Sequence, residues 1–171
     1  MSKTESEMEL ERKFLIKEIP GDVLNFPNTE IVQAYLGLPG KKVAMRVRQY
    51  GEDLFFTIKA SREEGEEELE PRITKEMFND ILEICSGIKI CKLRVKIPFG
   101  KVTIELDFFR NELRGLVLGE VEFETVEDKK TFIPPDWFGQ EVTDDPRFKN
   151  VVLSREGIPK GTALHKVDAI I

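Results

Sequence analysis

The chain is poor in the residues that most often carry enzyme chemistry. It has one histidine, His165, near the C-terminus, and two cysteines, Cys85 and Cys91. With no G-x-S-x-G or C-x-x-C motif, histidine-dependent nucleophilic catalysis and a structural zinc site are set aside. Two cysteines make no disulfide framework, which points to buried thiols in a reducing compartment. No run nears the roughly 18 apolar residues of a spanning helix, and the opening "MSKTESEMEL" lacks a signal-peptide core; the expectation is a soluble, cytoplasmic protein with no membrane partner. An excess of basic charge is missing too. The 26 Lys and Arg meet 32 Asp and Glu, which argues against a nucleic-acid partner held by bulk positive charge. Any chemistry falls to carboxylates, lysines and arginines.

What the chain does have is charge in both signs, 34% of residues against roughly 25% in an ordinary soluble domain. Its 171 residues, 40% of them apolar, suit a single domain, because two domains would leave neither half an adequate core. Most segments alternate with a period of two: "EMELERKFLI", "TEIVQAYL", "KVAMRVRQY", "DLFFTIKA", "EEELEPRI", "KICKLRVKIP", "KVTIELDFF" and "LVLGEVEFET". This is the pattern of half-buried strands. Short Gly-bearing links, "LPGKK", "YGED" and "PFGK", suit antiparallel hairpins. About eight hairpin-connected strands predict a sheet that closes or nearly closes into a barrel. Helical spacing occurs twice. "RITKEMFNDILEICSG" has Thr74 as N-cap and Gly87 as stop, and "TDDPRFKNVVLSREG" has Asp145 as cap, Pro146 at the first helical position and Gly157 as terminator.

Parity along the strands separates two faces. One carries Glu9, Glu11 and Lys13, then Arg46 and Arg48, Thr57 and Lys59, Glu66, Glu68 and Glu70, Lys92, Arg94 and Lys96, Glu105 and Asp107, and Glu120 and Glu122. The other is apolar, with Leu10, Phe14, Ala44, Phe56, Ile58, Leu93, Val95, Ile104, Leu106, Val121 and Phe123 among its members. A charged face is ordinarily the solvated side of a sheet. Here the charged positions are almost purely ionic, and the signs are segregated along the chain. If the apolar face turns outward against helices, the charges line a lumen, where they need partners or ligands of opposite sign. Cations suit phosphates and carboxylates suit divalent metals; a metal-bound polyphosphate supplies both.

The motifs "ELERKFL", "MRVR", "FTIK", "KLRVK", "IELD", "GEVEFE" and "PPDWFGQEVTDDPRFKN", in this order, resemble the CYTH superfamily, the triphosphate tunnel metalloenzymes, and within it the short bacterial inorganic tripolyphosphatase-like members. The resemblance covers a core of about residues 7–156, followed by a tail, 157–171. It implies an α+β architecture, an eight-stranded antiparallel barrel with a charged lumen and helices packed outside, that hydrolyses a phosphoanhydride bond of tripolyphosphate or a related triphosphate. Similar proteins include class IV adenylate cyclases and thiamine triphosphatases; a non-catalytic polyphosphate or nucleotide sensor is the alternative outside enzymes. By resemblance, Lys13, Arg46, Arg48, Lys59 and Arg94 bind the substrate phosphates. Glu9, Glu11, Asp107, Glu120 and Glu122 hold Mg2+ or Mn2+. Glu68, Glu70 and Glu105 stand behind them. Lys92 and Tyr35 join Glu9, Glu11 and Lys13 as catalytic candidates, with roles in substrate admission, water activation or metal preference. Glu66 stands where similar proteins usually carry an arginine. A homodimer is compatible with the resemblance and is not specified by it. Trp137 reads as a packing anchor, His165 as a solvent-facing tail residue, and Lys149 as surface.

Overall fold

The computed structural model describes residues 10–36, 43–62 and 65–168. Glu9 and the "LPGKK" turn lie outside them, as does the side chain of Glu66. Among the described residues nine strands form one antiparallel sheet: β1 (Glu11–Ile16), β2 (Asn28–Leu36), β3 (Val43–Tyr50), β4 (Asp53–Arg62), β5 (Gly65–Leu69), β6 (Ser86–Phe99), β7 (Val102–Phe109), β8 (Val117–Glu122) and β9 (Phe138–Glu141). Their order is β5-β4-β3-β2-β6-β7-β8-β1-β9. The eight expected strands form. The ninth is a four-residue edge strand against β1, too short to show a period. The sheet curls around a cavity with β5 and β9 as its edges.

Register confirms the two faces. Glu11 lies opposite Glu122, Lys13 opposite Glu120, Arg94 opposite Asp107, Arg46 opposite Thr57 and Lys59 opposite Glu68, and directly opposed residues share a face. Ala44 is a correction: it pairs with Lys59 and lines the cavity, so it belongs to the charged face, and Val47 packs outward instead. A methyl group carries too little hydrophobicity to fix a face by itself.

The convex face is apolar and buried. Phe14, Val95, Ile104, Leu106, Phe108 and Val121 form its centre, and Val23, Phe26, Phe132 and Val167 cover it from loops and the C-terminal segment. Helix α1 (Lys75–Ile84) lies on the convex face of β3 and β4, with Phe78 against Val47 and Ala34. Its N-cap forms as expected, the Met77 N–H donating to Thr74 Oγ1 at 3.2 Å. The last helical stretch packs at one end of the sheet. The stretch from Pro146 is a 3-10 turn over Pro146–Phe148, an extended Lys149, and then α3 (Asn150–Glu156). Leu153 of α3 and Phe148 pack on Ile90, Phe109, Leu118 and Leu15, which share the parity of the cavity charges. The concave face therefore changes from ionic to apolar at one end of β1, β6, β7 and β8, and α3 covers that end. A short α2 (Val126–Thr131), capped by Thr125, was not indicated by periodicity because it spans under two turns.

The tail also departs from expectation. His165 Nε2 lies 2.7 Å from the Ile16 carbonyl and the His165 N–H donates to Gly115, while Val167 is buried. His165 is a tether of the C-terminal segment to β1. Trp137 packs edge-on against Phe138, as an anchor.

Gly87 and Gly100 both have positive φ, +82° and +59°, which only glycine adopts at little cost. A Cβ on Gly87 would stand 2.6 Å from the Ser154 carbonyl oxygen of α3, whereas one on Gly100 would meet nothing within 4 Å. Gly100→Ala is expected to cost about 1 kcal/mol and Gly87→Ala about 3 kcal/mol, measured by urea denaturation. Equal losses would show that α3 is not packed tightly on β6.

Candidate active site

The cavity between the strands has a volume of about 540 Å³. Glu11 and Lys13 of β1, Glu120 and Glu122 of β8, Lys92 and Arg94 of β6, Tyr35 of β2, Arg46 and Arg48 of β3 and Lys59 of β4 line it. Alternation delivers each of these, because a strand whose convex side chains fill the core must present every second residue to the concave side. Ten of the expected site residues thus converge on one space. Asp107 lies just behind the wall. Gln33, Thr57 and Lys149 also line the cavity. Gln33 is uncharged and gave no signal in the charge pattern, and Lys149 is brought in by the turn ahead of α3.

The acidic wall is built around Asp107, which has no solvent exposure. Lys92 Nζ lies 2.5 Å from its Oδ2, and Arg94 grips both oxygens with Nε and Nη2 at 2.7 Å each. Arg94 continues to Glu105 and, at 3.1 Å, to Glu120; Glu120 lies 3.1 Å from Lys13 Nζ. Burial by itself would raise the Asp107 pKa, but Lys92 and Arg94 override it and hold the carboxyl well below its usual range. Glu120 is treated likewise, burial being outweighed by Lys13 and Lys92. Lys13 is held above its ordinary range because Glu120 and Glu11 outweigh its burial. Burial pulls Lys92 down, with Arg94 adding to that and Asp107 opposing it. Both Asp107 oxygens are committed to cations, and most of the Arg94 fork is committed to carboxylates.

The basic wall is different. Arg46 reaches Glu70 at only 3.5 Å, and Thr57 donates to the same carboxylate oxygen at 2.5 Å. Among the described residues no carboxylate pairs with Arg48, which lies over the Tyr50 ring at 5.1 Å. The Nε atoms of Arg46 and Arg48 are buried without hydrogen-bond partners. Burial, with Arg46 and Arg94 nearby, lowers the Arg48 pKa. Buried guanidinium donors are seldom left unpaired, since each costs free energy. This wall offers positive charge and hydrogen-bond donors, the chemistry that suits an anion.

For a metal, the donor chemistry fits on the opposite side. Glu11 and Glu122 face each other across β1 and β8, beside Glu120, and offer only oxygen, which suits a hard cation. Among the described residues no group of three or more metal-binding side chains is assembled by itself. An ion here would take further oxygens from water or phosphate, as Mg2+ commonly does.

No family model matches the chain. An inorganic triphosphatase of Nitrosomonas europaea is 37% identical over 148 residues, 85% of this chain and 96% of that protein. One from Acetivibrio thermocellus is 35% identical over 83% of this chain and 90% of that protein. The crystal structure of an inorganic triphosphatase superposes with a TM-score of 0.70 at 34% identity, covering 86% of this chain and 94% of that one. An adenylyl cyclase-type protein from Hippeastrum, with a dominant triphosphatase activity, matches at a TM-score of 0.61 over 92% of this chain and all of that one. At 15% identity it supports the fold alone. No helix among the described residues is long and apolar enough to cross a membrane.

Asp107→Asn leaves Lys92 and Arg94 buried without their carboxylate, and is expected to destabilise the fold by about 3–5 kcal/mol at neutral pH. Because the folded pKa of Asp107 lies below the unfolded one, its contribution is complete above about pH 4–5 and is lost as pH falls. Denaturation curves across that range should show a shallower acid loss in the variant. The same acid dependence in both proteins would contradict this role.

Proposed function

The chain belongs to the inorganic triphosphatases of the CYTH superfamily, and on that premise we propose that it hydrolyses a terminal phosphoanhydride bond of inorganic tripolyphosphate with the help of Mg2+ or Mn2+. The observation that carries the proposal is the opposition of two walls. Arg46 and Arg48 line the cavity with guanidinium groups whose Nε atoms have no hydrogen-bond partner, and Glu11 and Glu122 present carboxylates from the other side. A polyphosphate spans that gap. The arginine forks take phosphate oxygens in pairs, and Lys59, Lys13 and Lys149 add charge along the cavity. A divalent cation held by Glu11 and Glu122, with Glu120 behind them and Glu9 the further candidate, would neutralise charge on the bridged phosphates.

Within this scheme Asp107 and Arg94 position rather than react. Asp107 fixes Lys92 and Arg94, and Arg94 fixes Glu105 and Glu120. In the reaction a water oxygen bonds to the terminal phosphorus as the bridging P–O bond breaks, releasing orthophosphate and pyrophosphate. Transferred phosphoryl groups are stabilised mainly by such preorganised charge. Lys92, its ammonium destabilised by burial, is the group best placed to exchange a proton, and Tyr35 is placed to donate a hydrogen bond. Both curated relatives are inorganic triphosphatases, which favours an inorganic chain over ATP or thiamine triphosphate.

Phosphorus NMR of tripolyphosphate with Mg2+ or Mn2+ should show equimolar phosphate and pyrophosphate, and a chelator should stop the reaction. Arg48→Met should lower kcat/KM about 100-fold while leaving the melting temperature unchanged or raised, because it removes a half-buried cation that no carboxylate among the described residues pairs with. Turnover unaffected by chelator would overturn the metal-dependent reading; full activity in Arg48→Met would overturn the role of the basic wall.

A further inference from the structure

Gln33 is 2% exposed, an unusual place for an amide unless its groups are spoken for. It lies on the cavity side of β2, opposite Arg48 of β3 and Ile90 of β6. Its Nε2 donates to the Tyr35 hydroxyl oxygen at 2.8 Å. Tyr35 itself lies opposite Arg46, whose positive charge acts on the phenol. An arginine only donates. A phenol oxygen has room for two incoming hydrogen bonds and carries one hydrogen of its own.

We propose that Gln33 is a positioning residue for Tyr35: its N–H occupies an acceptor site of the phenol oxygen and the cationic Arg46 opposite repels the phenol hydrogen, so that hydrogen is directed at a phosphate oxygen in the cavity. The proposal rests on the triphosphatase reading for its consequence, but its geometry stands independently. Without Gln33 the hydroxyl could rotate, and its hydrogen would have no fixed direction. A hydrogen bond fixed before substrate arrives costs no reorganisation during reaction. The donors also favour the phenolate. Burial raises the Tyr35 pKa, while Arg46, Gln33 and the nearby Lys13 each work against that rise.

The chain holds only two tyrosines, which makes the test direct. In a Tyr50→Phe background, the ultraviolet titration of phenolate reports Tyr35 alone. Gln33→Met, which removes the amide at similar size, and Gln33→Glu, which keeps the shape and removes the N–H, should both move the Tyr35 midpoint upward. An unchanged midpoint would overturn the proposal. So would a downward shift with Gln33→Met, because it would mean that the amide accepts the Tyr35 hydrogen. In a double-mutant cycle on tripolyphosphate, Gln33→Met should lower kcat about 10-fold when Tyr35 is present, the worth of roughly one well-placed hydrogen bond. It should cost little more in a Tyr35→Phe background. Equal losses in both backgrounds would mark Gln33 as merely structural and also overturn the proposal. An upward titration shift in a protein that does not turn over tripolyphosphate would retain the Gln33 geometry and reject the triphosphatase reading, so the two failures are distinguishable.

Discussion

The structure depends on the carboxylate of Asp107, buried completely between Lys92 and Arg94. Charges of this kind do not enter a protein interior singly, and here one acid makes two cations tolerable. Arg94 then reaches Glu105 and Glu120, and Glu120 reaches Lys13. A single chain of ion pairs thus joins β6, β7, β8 and β1 across the concave face. It fixes side chains that would otherwise be long and mobile, and it leaves Arg48 of β3 outside the neutralised set.

From that constraint follows the asymmetry of the cavity. On one side cations and carboxylates satisfy each other; on the other, Arg46 and Arg48 hold buried donors with nothing to bond. Toward α3 the same face turns apolar, through Leu15, Ile90, Phe109 and Leu118, and is covered by Leu153 and Phe148. The closed end keeps water away from one flank of the ionic region, where lower polarity strengthens each charge interaction. The outer face, packed with Ile104, Leu106 and Phe108, gives the rigid frame on which these charges are aligned.

Much of this was legible in the sequence, because alternation is forced wherever one face of a strand is buried. The charged parity of Lys13, Arg46, Lys92, Arg94 and Glu120 identified the cavity lining without a structure, and Thr74 marked the start of α1. What escaped was whatever alternation does not encode. It did not distinguish Asp107, committed to two cations, from Glu11 and Glu122 at the rim, since pairing depends on which strands are neighbours. It carried no sign that the second helix would turn inward. The relevant signal was present in the loss of charge at Leu15, Ile90, Phe109 and Leu118, which reads as ordinary strand hydrophobicity until the ends are aligned. Gln33 was silent because a neutral amide in a strand is unremarkable until its burial is known, and His165 because a tail contact has no local pattern.

The central claim is that phosphate belongs on the β3 wall and metal on the β1–β8 wall, with Asp107 bonded to neither. Anomalous diffraction from crystals grown with Mn2+ and tripolyphosphate tests this most directly. The account predicts a manganese peak within bonding distance of Glu11 or Glu122, with phosphate oxygens on the Arg46 and Arg48 guanidinium groups. Manganese bonded to Asp107, with Lys92 and Arg94 swung away, would contradict it.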